Sequence, residues 1–202
     1  GLIYRHYQER LERDYSELVQ AADRIDAADL TEDEVLHPEK YDYVLLSMTI
    51  ADGTESDELY WNHLVDLLRS RPREYIMNDP MVHQRCRRVS DMNADYANYL
   101  QEYTQVHAHV AITDFRSLPK APVGNRFLVY SLFPETVVHM RIFYVTPERD
   151  TIAVSVGHSI FNRNCRVNAG LMLAAFEGGG HRGAGSCRFA AAKADDYIPR
   201  IL

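Results

Sequence analysis

Cysteine is scarce: Cys86, Cys165 and Cys187 are an odd number, far apart, with no CxxC pair. That argues against a disulfide framework and against a zinc knuckle, and it suits a reducing compartment. No run approaches the roughly eighteen apolar residues that span a bilayer, and the charged, tyrosine-rich start lacks the apolar stretch of a signal peptide. A cytoplasmic protein with no membrane partner is expected. Positive charge is also in short supply, with 22 Lys and Arg against 29 Asp and Glu and a net charge of −7. Coating a long nucleic acid needs many cations on phosphates, so that mode is excluded; a small anion held by a local basic cluster is not. No internal repeat or low-complexity tract occurs. The chain starts Gly-Leu-Ile-Tyr without a methionine, so it reads as a fragment whose missing motifs lie elsewhere.

What the chain does hold is 46% hydrophobic residues over 202 positions, enough for one large or two small domains with a buried core. Residues 1 to about 105 read as helical. Leu11, Tyr15, Leu18, Val19, Ala22 and Ile25 recur at helical spacing, as do Trp61, Leu64, Val65 and Leu68. A half-exposed helix is expected from Asp79 to Tyr103, as a connector. Near Val106 the period changes to β-type runs: VHAHVAIT (106–113), RFLVYSLF (126–133), VVHMRIFYV (137–145) and TIAVSVG (151–157). These predict a mostly antiparallel sheet. A helix follows at about Ala169 to Phe176, with Asn168 as N-cap and Gly178 as its stop, then a short strand at SCRF and a last helix from about Ala192. The fold class is α/β.

The stretch FEGGGHRGAGSCRF (176–189) places three glycines before a histidine and an arginine. Read as a loop, it can turn successive N–H groups into a concave nest for an anion, with His181 and Arg182 adding directed hydrogen bonds and charge. The alternative is a helix C-cap followed by a plain surface turn. A Walker A loop is excluded because no Lys-Ser/Thr pair follows, and a dinucleotide fingerprint fits poorly because this run follows a helix.

GGGHRGAG resembles the GGGHxxAAG-type signature of the DHHA1 domain, the C-terminal half of DHH-family phosphoesterases, and departs from it at Gly183. GNRF (124–127), SIFNRN (159–164) and VNAGLMLAAFEGGGH (167–181) follow the order seen in the exopolyphosphatase-like branch. Upstream, ADRIDAADLTEDEVLHP (22–38) is similar to the late part of the DHH catalytic domain. The Asp-rich first motif and the Asp-His-His triplet that precede it in the family are absent here. The resemblance implies three parts: the helical tail of a DHH catalytic domain (1–78), a linker helix (79–105) and a mixed-sheet DHHA1 substrate-binding domain (106–202).

The resemblance further implies a two-metal phosphoesterase that uses divalent cations, manganese by preference, with Asp26 as a metal ligand and Asp23 as the alternative register. On the residues alone, Asp26 reads rather as a surface carboxylate near a helix end, and only the resemblance raises the metal reading beside it. Two-metal chemistry needs several converging ligands, so one aspartate cannot supply it. No catalytic residue is expected within this chain, which alone should be inactive.

Substrate binding is expected at Gly178, Gly179, Gly180, His181 and Arg182, joined by Arg163, Asn168 and Arg126. Arg163 follows the SIFN run and offers a fork for phosphate oxygens, or is a surface loop residue. Arg126 opens a run after Gly-Asn and faces the same cleft or simply ends a sheet in solvent. His139, Arg141 and Phe143 share one strand face, and His107 and His109 another; with no third ligand at useful spacing they read as structural. The expected substrate is a phosphate-containing small molecule or short oligonucleotide, a dinucleotide or polyphosphate, and the resemblance allows a homodimer. Two other readings stand beside the enzyme: a non-catalytic RNA- or nucleotide-binding DHHA1-like module, and a structural domain whose glycines bind nothing.

Overall fold

A computed structural model describes residues 1–50 and 57–202. The chain divides into two compact units, Gly1–Ala94 and Asp95–Leu202, with the boundary inside one long helix. The first unit is helical: α1 (Leu2–Tyr7), α2 (Ser16–Asp26), α3 (Glu32–Leu36), α4 (Asp42–Thr49), α5 (Asp57–Ser70), α6 (Arg73–Met77) and the start of α7 (Pro80–Tyr103). Leu45, Leu46, Tyr60, Leu64, Leu67, Ile76, Val82, Cys86 and Val89 form its core. Trp61 and Val65, expected inside, are exposed; the buried stripe of α5 runs through Tyr60, Leu64 and Leu67 instead, one residue round the helix.

Local chemistry sets the helix ends. Thr31 and Glu34 close a reciprocal capping box at α3. The Glu34 carboxylate also takes a two-pronged bond from Arg24 at 3.0 and 2.8 Å. Burial alone would raise the Glu34 pKa; Arg24 and Thr31 outweigh it and hold the carboxyl below its ordinary value. Asp79 caps α7 by accepting from the Met81 and Val82 amides. The buried positions of α7 are Val82, Cys86, Val89, Asn93, Tyr96 and Leu100, alternating four and three residues apart, so one narrow stripe is covered along its length.

The second unit is a six-stranded mixed sheet in the order β1-β2-β3-β4-β6-β5, built from β1 (Thr104–His107), β2 (Val110–Asp114), β3 (Val138–Tyr144), β4 (Thr151–His158), β5 (Gly178–His181) and β6 (Ala184–Ala190). Among the described residues, only β2 and β3 pair in parallel. One face carries the core of Met140, Ile142, Ile152, Val154, Val156, Cys187 and Phe189 under α9 (Ala169–Ala174) and α10 (Ala194–Ile201).

Four local expectations change. RFLVYSLF holds a helix, α8 (Leu128–Leu132), in place of a strand. A short apolar run does not distinguish the two by pattern, and a parallel β2–β3 pair needs a crossover, which α8 supplies. Asn125 starts it by accepting from the Phe127 amide. VHAHVAIT is a hairpin, turned by Ala108 at φ 55°, so His107 and His109 do not share a strand face. His109 Nδ1 instead donates to the Glu135 carbonyl at 3.2 Å. The residue that ends α9 in the left-handed region is Glu177 at φ 63°, not Gly178. Its carboxylate is held by Lys193 and the Tyr197 hydroxyl. Finally, the glycine run is not a loop: Gly178 to His181 are a strand at the sheet edge.

Candidate functional site

The glycines divide by the side they face. A Cβ on Gly170 of α9 would lie 2.4 Å from the Gly180 carbonyl carbon and oxygen, so the helix rests directly on the β5 backbone. One on Gly185 would lie 2.6 Å from Gly179 O and 3.1 Å from Leu173 Cδ1. Gly180, at φ 152°, takes a backbone conformation that side chains rarely adopt. Gly179 differs: a Cβ there would meet nothing within 4 Å.

The turn after β5 is anchored on both sides. Ala169 N donates to Arg182 O at 3.1 Å, tying the turn to the start of α9, and His158 N donates to Gly183 O at 2.8 Å, tying it to the end of β4. Asn168 caps α9 as expected, its Oδ1 accepting from the Leu171 amide at 3.1 Å. Within the turn, Gly183 N donates to His181 Nδ1 at 3.2 Å. With Nδ1 accepting, the neutral ring carries its proton on Nε2, which is then a donor. His181 and Arg182 are exposed, and the Arg182 guanidinium has no hydrogen bond or ion pair among the described residues.

Cross-strand register shows which residues share the face away from α9. Ser155 pairs with Ser186, and Ser186 with Gly179; Gly157 pairs with Ala184, and Ala184 with His181; Ala153 pairs with Arg188. Opposed residues point to the same side, so His181, Gly179, Ser186, Ser155 and Arg188 lie on one face. Three of its residues, His181, Ser186 and Arg188, are exposed. Arg188 and the two serines belong to no motif and were missed in the sequence; alternation along SCRF alone would have put Ser186 and Arg188 together.

Two more of the expected residues are arginines on loops of the second unit. Arg163 Nε donates to Ile160 O at 2.9 Å in the loop that leaves β4, and this loop leads to Asn168. Arg126 is exposed over the Phe127 ring, 4.7 Å from its centroid. The Tyr130 hydroxyl donates to Gly157 O at 2.9 Å; burial raises the pKa of this phenol, and the nearby positive charge of Arg126 partly opposes the rise. On β3, His139, Arg141 and Phe143 do share a face. His139 is buried with its Nε2 2.8 Å from Thr113 Oγ1, and burial first, then the Arg141 charge, pushes its pKa down to about 3. It is a structural histidine.

Asp26 ends α2 in the first unit, exposed, and lines a cleft of about 440 Å³ with Asp23, Leu18, Ile25 and Leu64. Its carboxylate has no hydrogen bond or ion pair among the described residues. Among the described residues, no group of three or more His, Cys, Asp or Glu side chains gathers where a metal could be held. Asp26 alone does not make a two-metal centre, and cleavage is not assigned to these residues.

Comparison with known proteins returned a fold. No protein-family profile matches the chain, and no curated protein sequence does. Among solved structures, the pGpG-specific phosphodiesterase PggH from Vibrio cholerae superposes with a TM-score of 0.83 at 24% identity, covering 98% of this chain and 69% of that one. An uncharacterized protein from Helicobacter pylori G27 gives 0.33 at 10% identity over 86% of this chain and 49% of its own, too low a score to carry structural meaning. The chain is thus a mixed α/β protein with the fold of a solved phosphodiesterase.

Proposed function

We propose that the second unit holds a phosphate of a short oligonucleotide and that the chain belongs to a phosphoesterase of the DHH/DHHA1 type, acting on a phosphodiester. The observation that carries this reading is the anchored turn at His181–Gly183. It carries the His181 Nε2 donor on the same face as Gly179, where no side chain blocks approach to the backbone, and the Arg182 guanidinium, which makes no hydrogen bond or ion pair among the described residues. The fold shared with a pGpG-specific phosphodiesterase and the resemblance of GGGHRGAG to the DHHA1 signature both support it. β5 is an edge strand, so the backbone offers amides to an anion from an extended strand, without a nest.

In this reading His181 donates to a phosphate oxygen, Arg182 and Arg163 neutralise its charge, and Gly178 to Gly180 let it come close. Asn168 fixes the start of α9 that holds the turn, and Arg126 borders the same end of the sheet. Hydrolysis by such enzymes draws on two divalent cations that activate water and stabilise the leaving oxygen. Manganese is the metal the resemblance implies, and Asp26 is the ligand proposed from this chain.

The test is titration of the chain with a fluorescent 5′-phosphorylated dinucleotide and with inorganic tripolyphosphate. His181→Ala should weaken both by about tenfold, the worth of one charge-assisted hydrogen bond. Unchanged affinity in the variant would remove the turn from the site. The same turn would equally serve a second reading, a binding module without catalysis. An Asp-His-His triplet encoded in frame ahead of Gly1 would decide for the enzyme, and a start codon there for the module.

A further inference from the structure

The open sheet face extends beyond the phosphate-holding turn. From Ala184, the partner of His181, β6 runs four residues to Arg188, about 13 Å at the usual strand rise. Between them the floor is Ser186, flanked by Gly179 on β5 and Ser155 on β4, none of which projects beyond a hydroxyl. On the β3 side, the Arg141 guanidinium lies 4.6 Å from the Phe143 ring centroid and 5.6 Å from that of Phe115, donating to Pro122 O, which makes a fixed wall. Arg188 stands at the far end, exposed, paired across the strands with the small Ala153. Neither its guanidinium nor the hydroxyls of Ser155 and Ser186 make a hydrogen bond or ion pair among the described residues.

Such a surface has the chemistry of a nucleoside site. A flat floor of small residues accepts a planar base, hydroxyls donate or accept as the base edge requires, and an arginine fork matches two adjacent acceptors. Guanine carries that pair as O6 and N7, whereas adenine replaces O6 by an amine donor. We propose that Arg188, with Ser155 and Ser186, forms a base-reading subsite that selects guanine in the nucleotide whose phosphate sits at His181. This rests on the phosphate reading above and adds a specificity to it.

Three probes separate the two ideas: 5′-phosphorylated guanine and adenine dinucleotides, and inorganic tripolyphosphate, each titrated into the wild-type chain and its variants, with circular dichroism to check folding. Wild type should prefer the guanine dinucleotide. Arg188→Ala should weaken that ligand by about tenfold, within the range of one lost bidentate contact, and leave tripolyphosphate within about twofold. Arg188→Lys should not restore the preference, because an ammonium has no fork. Ser155→Ala and Ser186→Ala should each cost about two- to threefold for the guanine ligand. Guanine binding that is unchanged in Arg188→Ala, or an equal loss for all three probes, overturns the subsite while the His181 result on tripolyphosphate still judges the phosphate reading. If no probe binds the wild-type chain, both fall.

Discussion

The two faces of the six-stranded sheet use the same small residues to opposite ends. On the face under α9 and α10, Gly170, Gly180 and Gly185 are small because backbone or side-chain atoms stand where a Cβ would be. Across the sheet, Gly179 is small with open space in front of it. One run of three glycines therefore serves two purposes, alternating along the strand as its pleat does. A glycine is a packing device where something fills its missing side chain, and a candidate for ligand approach where nothing does.

The largest effect should come from filling the packed face. Gly170→Ala drives a methyl into the Gly180 carbonyl and should destabilise the second unit by about 2–3 kcal/mol, read as a lower urea midpoint. A midpoint equal to wild type would mean that α9 can lift away at little cost, and the contrast between faces would lose its physical basis.

Next is acid sensitivity at the covered end of the other face. His139 is neutral when folded, its pKa pushed down to about 3 by burial and by Arg141, while the unfolded chain titrates near 6.5. Between those values the unfolded chain binds the proton and the folded one does not. Stability from this group is therefore full above pH 6.5 and drains as pH falls toward 3, by about 2 kcal/mol at pH 5. His139→Gln should flatten the slope of stability between pH 6.5 and 5. The Glu34 carboxyl, also held low, contributes above its unfolded value and is lost only at more acid pH, so it does not obscure the test. A variant slope as steep as wild type would assign the acid sensitivity elsewhere.

The smallest change in stability belongs to Gly179→Ala. With nothing for the methyl to strike, the urea midpoint should move by less than about 0.5 kcal/mol. Phosphate binding should nevertheless weaken several-fold, because the methyl occupies the approach to the backbone. Stability and binding both unchanged would sharpen the comparison against the site, leaving the open face as plain surface.

Much of this architecture was legible in the chain, and what escaped was non-local. The α7 helix, β3, β4 and the Asn168 cap follow from periodicity and capping chemistry, which act over a few residues. The glycine run signalled a turn, because glycine composition does so in general; only the close approach of α9 and the pairing with β6 make it a strand. Ala108 and Glu177 turn the chain with positive φ and carry no glycine to announce it. The Ala169 amide on Arg182 O brings the start of α9, capped by Asn168, beside the His181–Gly183 turn, and Arg163 lies in the loop that leads to Asn168. The Arg188–Ser186–Ser155 row depends on the register between β4 and β6, and no local pattern encodes that.

The glycine strand at the rim also bears on association. An edge strand turns unsatisfied amides and carbonyls outward, an invitation to any extended segment of another molecule. Here the rim is four residues long and three of them are glycine, so a docking strand would find few side chains to pack on. Sheet growth by addition at this margin is disfavoured without a charged or proline guard, which leaves the rim's amides free for small anions.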